Sequence, residues 1–103
     1  MNNAYMKIPL PVLCIRELKR FVKNAGEGKP VDGQRRFIIS ELWAGQSTVR
    51  KSTVQRYRRT GTNGVIIGLF GRKKVIMDGH HRTVAAMLNG QEVILCWYAQ
   101  VKK

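Results

Sequence analysis

Apolar residues along this chain fall into short runs, and the runs follow two different periods. Between residues 11 and 25, Leu13 or Cys14, Leu18, Phe21 and Val22 recur at helical spacing, while Arg16, Glu17, Lys19, Arg20 and Lys23 fill the other face. With Pro11 to open it and Gly26 to stop it, this pattern predicts a helix over about 11–25. Ahead of it, residues 5–10 predict a short edge segment, because Pro9 and Pro11 cannot serve a central strand. Residues 27–34 are rich in breakers and predict a loop. Phe37-Ile38-Ile39 is short, apolar and β-branched, and predicts a buried strand ending at Ser40-Glu41-Leu42.

Further on, Ser52 and Gln55 have the spacing of a capping box, which predicts a helix over about 53–60 that exposes Arg56, Arg58 and Arg59. Residues 60–64 predict a turn. Two β-rich runs, 65–70 and 74–77, are joined by Gly71-Arg72-Lys73 and predict a hairpin. The second run leads into Asp78-Gly79-His80-His81-Arg82, then a helix with Val84, Ala85 and Leu88 inside that closes at Asn89-Gly90. Residues 92–101 predict a last strand, on which Trp97 and Tyr98 face opposite sides so that one belongs to the core. Strand, helix, strand, strand, helix, strand, preceded by an extra helix, defines an α+β (α/β) fold. A length of 103 residues allows one such core and not two.

Composition changes the picture in one respect. The chain has 19 Lys plus Arg against 6 Asp plus Glu, a formal net charge of +13. The surplus is spread as +4, +5 and +4 over residues 1–30, 31–60 and 61–103, so there is no basic tail and the charge must lie on folded surface. Such a balance points to a polyanionic partner, with nucleic acid ahead of a lipid surface because no amphipathic anchor or lipidation signal is present. No apolar run reaches the roughly 20 residues of a membrane-spanning helix, and the first residues have no signal-peptide pattern. A cytoplasmic protein is expected. Cys14 and Cys96 are too few for a disulfide scaffold, and their apolar neighbours predict two buried, reduced thiols.

The chemistry concentrates at Met77-Asp78-Gly79-His80-His81-Arg82-Thr83, where a strand gives way to a helix. The first amides of that helix have no intrahelical partner and sit at the positive end of its dipole. Gly79 permits close backbone approach, and His81 and Arg82 add donors, so the segment suits a phosphate. The plainer alternative has Asp78 capping the helix and pairing with Arg82, with the histidines at the surface.

Strand, D-G-H-H-R, helix and closing strand resemble the signature of the ParB/sulfiredoxin superfamily, including the stand-alone ParB-like nuclease domains of phages and mobile elements. Ile38-Ile39-Ser40-Glu41-Leu42, Gln46-Ser47-Thr48-Val49 and Ser52-Thr53-Val54 resemble the upstream part of that domain. The resemblance covers about residues 36–101 and implies a small mixed sheet flanked by helices in 36–103, with 1–35 as an N-terminal helical extension. Sulfiredoxins have G-C-H-R here, and His80 replaces their cysteine, so sulfinic acid reduction is not implied. Partitioning ParB proteins have G-E-R-R, of which Gly79 and Arg82 remain, and no helix-turn-helix follows. The shared part is a phosphate pocket of Gly79, His81, Arg82 and Thr83 with Asp78 at its edge.

Two activities could use that pocket. In one, a nucleoside di- or triphosphate or a nucleic-acid backbone is cleaved, with Asp78, or Glu41, holding Mg²⁺ and His80 or His81 moving a proton. In the other, the protein only binds: Arg50, Lys51, Arg56, Arg58, Arg59, Arg72, Lys73 and Lys74 grip DNA phosphates, and Trp43 stacks on a base. A non-enzymatic interaction protein that occupies an acidic host protein is the alternative partner reading.

Overall fold

A computed structural model describes residues 3–26 and 31–103 of the chain. In order, the elements are β1 (Tyr5–Lys7), α1 (Ile15–Ala25), β2 (Gly33–Ile38), a single 3-10 turn (Ile39–Glu41), β3 (Leu42–Trp43) and β4 (Thr48–Arg50). They continue with α2 (Lys51–Thr60), β5 (Ile66–Phe70), β6 (Lys73–Asp78), α3 (His80–Leu88) and β7 (Val93–Val101). Five strands form one mixed sheet in the order β2-β7-β5-β6-β3, and β1 pairs with β4 in a separate two-stranded ribbon. The expected α+β class is what the chain adopts.

The sheet cannot lie flat. Its two edges, β2 and β3, are joined only by Ile39–Glu41. A flat five-stranded sheet would hold them about 19 Å apart at the usual strand spacing, whereas four peptide steps reach at most about 15 Å. The strands therefore curl around the side chains of one face. Phe37, Leu42, Ile67, Ile76, Ile94 and Cys96, each from a strand, meet there with Ala86 of α3 in the main core cluster.

The alternate residues point to the opposite face. Phe70, Val75 and Val101 pack there against Phe21 and Ala25 of α1, with the Phe21 and Phe70 rings edge to face at 5.3 Å. Gly68 makes this fit: a Cβ at that position would stand 2.8 Å from the Phe21 ring. A third cluster, Ile8, Ala44, Val49, Val54, Val84 and Ala85, joins the N-terminal segment, α2 and α3. Thus α1 covers one face of the sheet, and α3, backed by α2, covers the other.

Several local expectations shift. The first helix begins at Ile15 rather than at Pro11, because Val12 bridges to Ala44 and the Pro11 carbonyl accepts the Ala44 N–H at 2.8 Å. The second helix starts at Lys51 without a side-chain cap, so the Ser52/Gln55 box is not used. Of the loop expected at 27–34, residues 27–30 lie outside the described residues, and Gly33 and Gln34 already belong to β2. The division at 35/36 falls inside that strand. Leu88 is 43% exposed and Cys14 is exposed, both against expectation. Cys96 is buried, and burial pushes its thiol up to about 12. Trp97 is exposed, while Tyr98 packs against the core. No helix among the described residues is long and apolar enough to cross a membrane.

Candidate nucleic-acid interface

Helix α3 starts immediately after β6, at Gly79, whose φ of +103° lies in the left-handed region. A Cβ there would also come within 2.9 Å of Val65 Cγ2 and 3.1 Å of its Cα, so this junction suits glycine alone. Thr83 is fully buried, and its hydroxyl donates to the Gly79 carbonyl at 2.9 Å alongside its own backbone N–H. That hydroxyl proton is therefore spent within the helix and does not face an incoming phosphate.

Both histidines act as acceptors. His80 Nε2 takes the Gly45 N–H at 3.0 Å, and His81 Nε2 takes the Arg50 N–H at 3.1 Å. Each ring is therefore neutral, with its proton on Nδ1. Burial holds the His80 pKa down at about 4; a proton on the neighbouring His81 would push the same way, and Asp78 opposes. His81 is lowered as well, by burial first and then by the guanidinium groups of Arg50 and Arg56. The pair thus pins residues 45–50, and with them the start of α2, onto the start of α3.

The cations around this junction are held on aromatic rings. Arg82 lies over the Tyr57 ring at 4.6 Å and Arg56 over the same ring at 5.3 Å. Arg50 stands 5.4 Å from the Tyr5 ring and donates to its hydroxyl at 3.0 Å. Among the described residues the ion pairs are Lys73 with Glu17 and Lys74 with Glu41, each at 2.6 Å. The plainer alternative, in which Asp78 caps α3 and pairs with Arg82, is not what forms: Asp78 makes neither contact. Among the described residues no carboxylate pairs with Arg50, Arg56 or Arg82.

The remaining candidates separate into two groups. Lys51 and Arg59 are exposed on α2, Lys51 at the end next to the junction and Arg59 at the opposite end. Arg58 is not free: its Nε donates to Asn89 Oδ1 at 2.9 Å and it reaches the Leu88 carbonyl, tying α2 to the end of α3. Arg72, Lys73 and Lys74 lie at the far end of the β5-β6 hairpin, since β6 enters at Lys73 and leaves at Asp78. Lys73 covers the Trp43 ring at 4.2 Å, and Trp43 packs among the residues around α1. Leu42 faces α3 and Trp43 faces away from it, so the indole is not beside Arg82.

A magnesium site at Asp78 finds little support in the donor set. Glu41 precedes Leu42, which pairs with Lys74, four residues short of Asp78 along β6; at strand spacing that is about 13 Å. Glu41 is also held by Lys74. Among the described residues no three His, Cys, Asp or Glu side chains converge as a metal site would require. These residues do not fit the ion.

Sequence reasoning missed the platform role of Tyr57 and of Tyr5. A signal existed for the first: Tyr57 sits next to Arg56 in a helix without acids. No protein-family model matches this chain, and no curated protein is significantly similar to it.

Proposed function

We propose that the protein is a nucleic-acid-binding module that holds the phosphate backbone of DNA along α2 and the start of α3. The observation that carries this reading is the Tyr57 ring, which supports two guanidinium groups, those of Arg56 and Arg82, with no carboxylate among the described residues answering either. A planar guanidinium braced on a ring presents its fork to phosphate oxygens at little further cost in conformational freedom. With Arg50, Lys51 and Arg59, the cations follow a ten-residue helix, a length of about 15 Å. That span suits several consecutive phosphates better than a single nucleotide. The amides of His80, His81 and Arg82, which have no backbone partner among the described residues, add a positive helix end beside it.

The same reading favours binding over cleavage. Both Nε2 lone pairs are engaged by backbone N–H groups, and the Thr83 hydroxyl is engaged by Gly79. Kinship with the ParB/sulfiredoxin superfamily belongs to the proposal too, resting on Gly79 and Arg82 at a strand-to-helix junction. Phosphate contacts carry no base information, so binding should be indifferent to sequence.

Fluorescence anisotropy of a labelled duplex of arbitrary sequence tests this. With four or five phosphates contacted, the logarithm of affinity should fall against the logarithm of salt with a slope of about −4. Absence of binding, or affinity indifferent to salt, overturns the reading.

A further inference from the structure

A second basic surface lies on the other side of the molecule. Arg16, Lys19, Arg20 and Lys23 stand at i, i+3, i+4 and i+7 of α1, so they form one stripe along the helix. All four are exposed. The acid of this helix among the described residues, Glu17, is occupied by Lys73 Nζ at 2.6 and 2.9 Å, and that contact holds its carboxyl below the usual range. Asn24 Nδ2 donates to the Lys102 carbonyl at 2.7 Å and so brings the end of the chain against the stripe. Lys19, Arg20, Lys23, Asn24 and Lys103 together line a cleft of about 530 Å³.

Alternation along the sheet places this cleft relative to the first surface. Ile67 and Ile76 face Ala86 of α3, while their neighbours Gly68 and Val75 face Phe21 of α1. The α1 stripe and the Tyr57 cluster therefore lie on opposite faces of the sheet. A duplex with a persistence length of about 150 bp does not bend around so small a body without a substantial cost; the protein measures only 37 × 30 × 23 Å. One straight duplex cannot serve both faces.

We infer that α1 and the residues at 102–103 form a second, independent site for a phosphodiester backbone, so that one protein molecule holds two duplexes at once. The inference rests on the nucleic-acid reading of the Tyr57 face. Its ligand is a polyphosphodiester rather than a single phosphate, because the stripe spans two helical turns and ends on the Lys103 ammonium.

The test uses the full chain and two DNA duplexes of unrelated sequence, one tethered to a surface and one labelled in solution. Protein is loaded on the tethered duplex, and retention of the labelled one is measured. The native protein should retain it. The variant K19Q/R20Q/K23Q/K103Q changes only exposed side chains; it should bind the tethered duplex within about threefold of native and retain none of the second, with a salt slope for total binding smaller by about 3. Thermal unfolding checks that the variant is folded. If the variant retains the second duplex as native does, the retention comes from another surface or from self-association, and the inference falls. If the native protein binds the tethered duplex and retains no second one, the inference falls while the Tyr57 reading stands. If neither duplex is bound, both fall. Displacement of the labelled duplex by poly-glutamate as readily as by unlabelled DNA would also overturn the phosphodiester assignment.

Discussion

The Nε2 atom of His81 accepts the backbone N–H of Arg50 at 3.1 Å, so the residue that opens α2 is fastened to the second residue of α3. This bond, with its neighbour from Gly45 to His80, sets the angle at which the two helices present Arg50, Arg56 and Arg82. The histidines act on the cations through backbone geometry. Neither needs to touch a ligand for its loss to be felt.

Acid should loosen this junction. An unfolded His80 takes up a proton below its ordinary 6.5, whereas the folded one resists until about 4. Over that window the unfolded chain binds more protons, so stability is complete above about pH 7 and falls as the pH falls; by pH 5 the loss from this group is about 2 kcal/mol. Urea unfolding across that range should show it. His80→Gln, which keeps an acceptor and cannot titrate there, should flatten the curve in part, with His81 supplying the rest.

Arg82→Ala should weaken binding to any duplex about fivefold and reduce the salt slope by about 1. Arg82→Lys should recover the charge but little of the affinity, since an ammonium has no planar fork to lay on Tyr57. Anisotropy titrations at several salt concentrations distinguish the two.

Arg58 and Arg59 are adjacent and should behave differently. Arg58→Ala removes the bonds to Asn89 and to the Leu88 carbonyl, and should cost about 1 kcal/mol of stability. Arg59→Ala should leave stability within about 0.5 kcal/mol and lower DNA affinity instead. Chemical unfolding and binding, measured on both variants, would show opposite orders.

Gly79→Ala should destabilise the fold by about 2–3 kcal/mol, combining a positive φ with overlap against Val65. An unfolding midpoint unchanged from native would show that the junction tolerates a side chain.

The class of fold and the approximate place of most elements were legible because each run of apolar residues keeps one period. The misplaced details all depend on partners distant in sequence. Residues 11–14 look helical by spacing, yet Ala44 draws them into a bridge, and no local pattern announces a partner some 30 residues away. Ser52 and Gln55 have capping spacing, but His81 takes the Arg50 N–H and sets the helix start earlier. The D-G-H-H-R segment was recognisable as a junction with exposed amides. That its histidines would be acceptors, and its threonine internally bonded, depends on which backbone groups arrive opposite them. The orientation of Trp43 was hidden for a similar reason: two residues of strand suffice to turn it toward α1.

The three residues between β2 and β3 bind the outermost strands of the sheet to each other by covalent chain. Neither rim can peel away while the other stays docked, since the tether is too short to pay out slack. Amide exchange in β2 and β3 should then report one shared opening event, and the sheet should come apart as a hoop does when cut, all at once and not strand by strand.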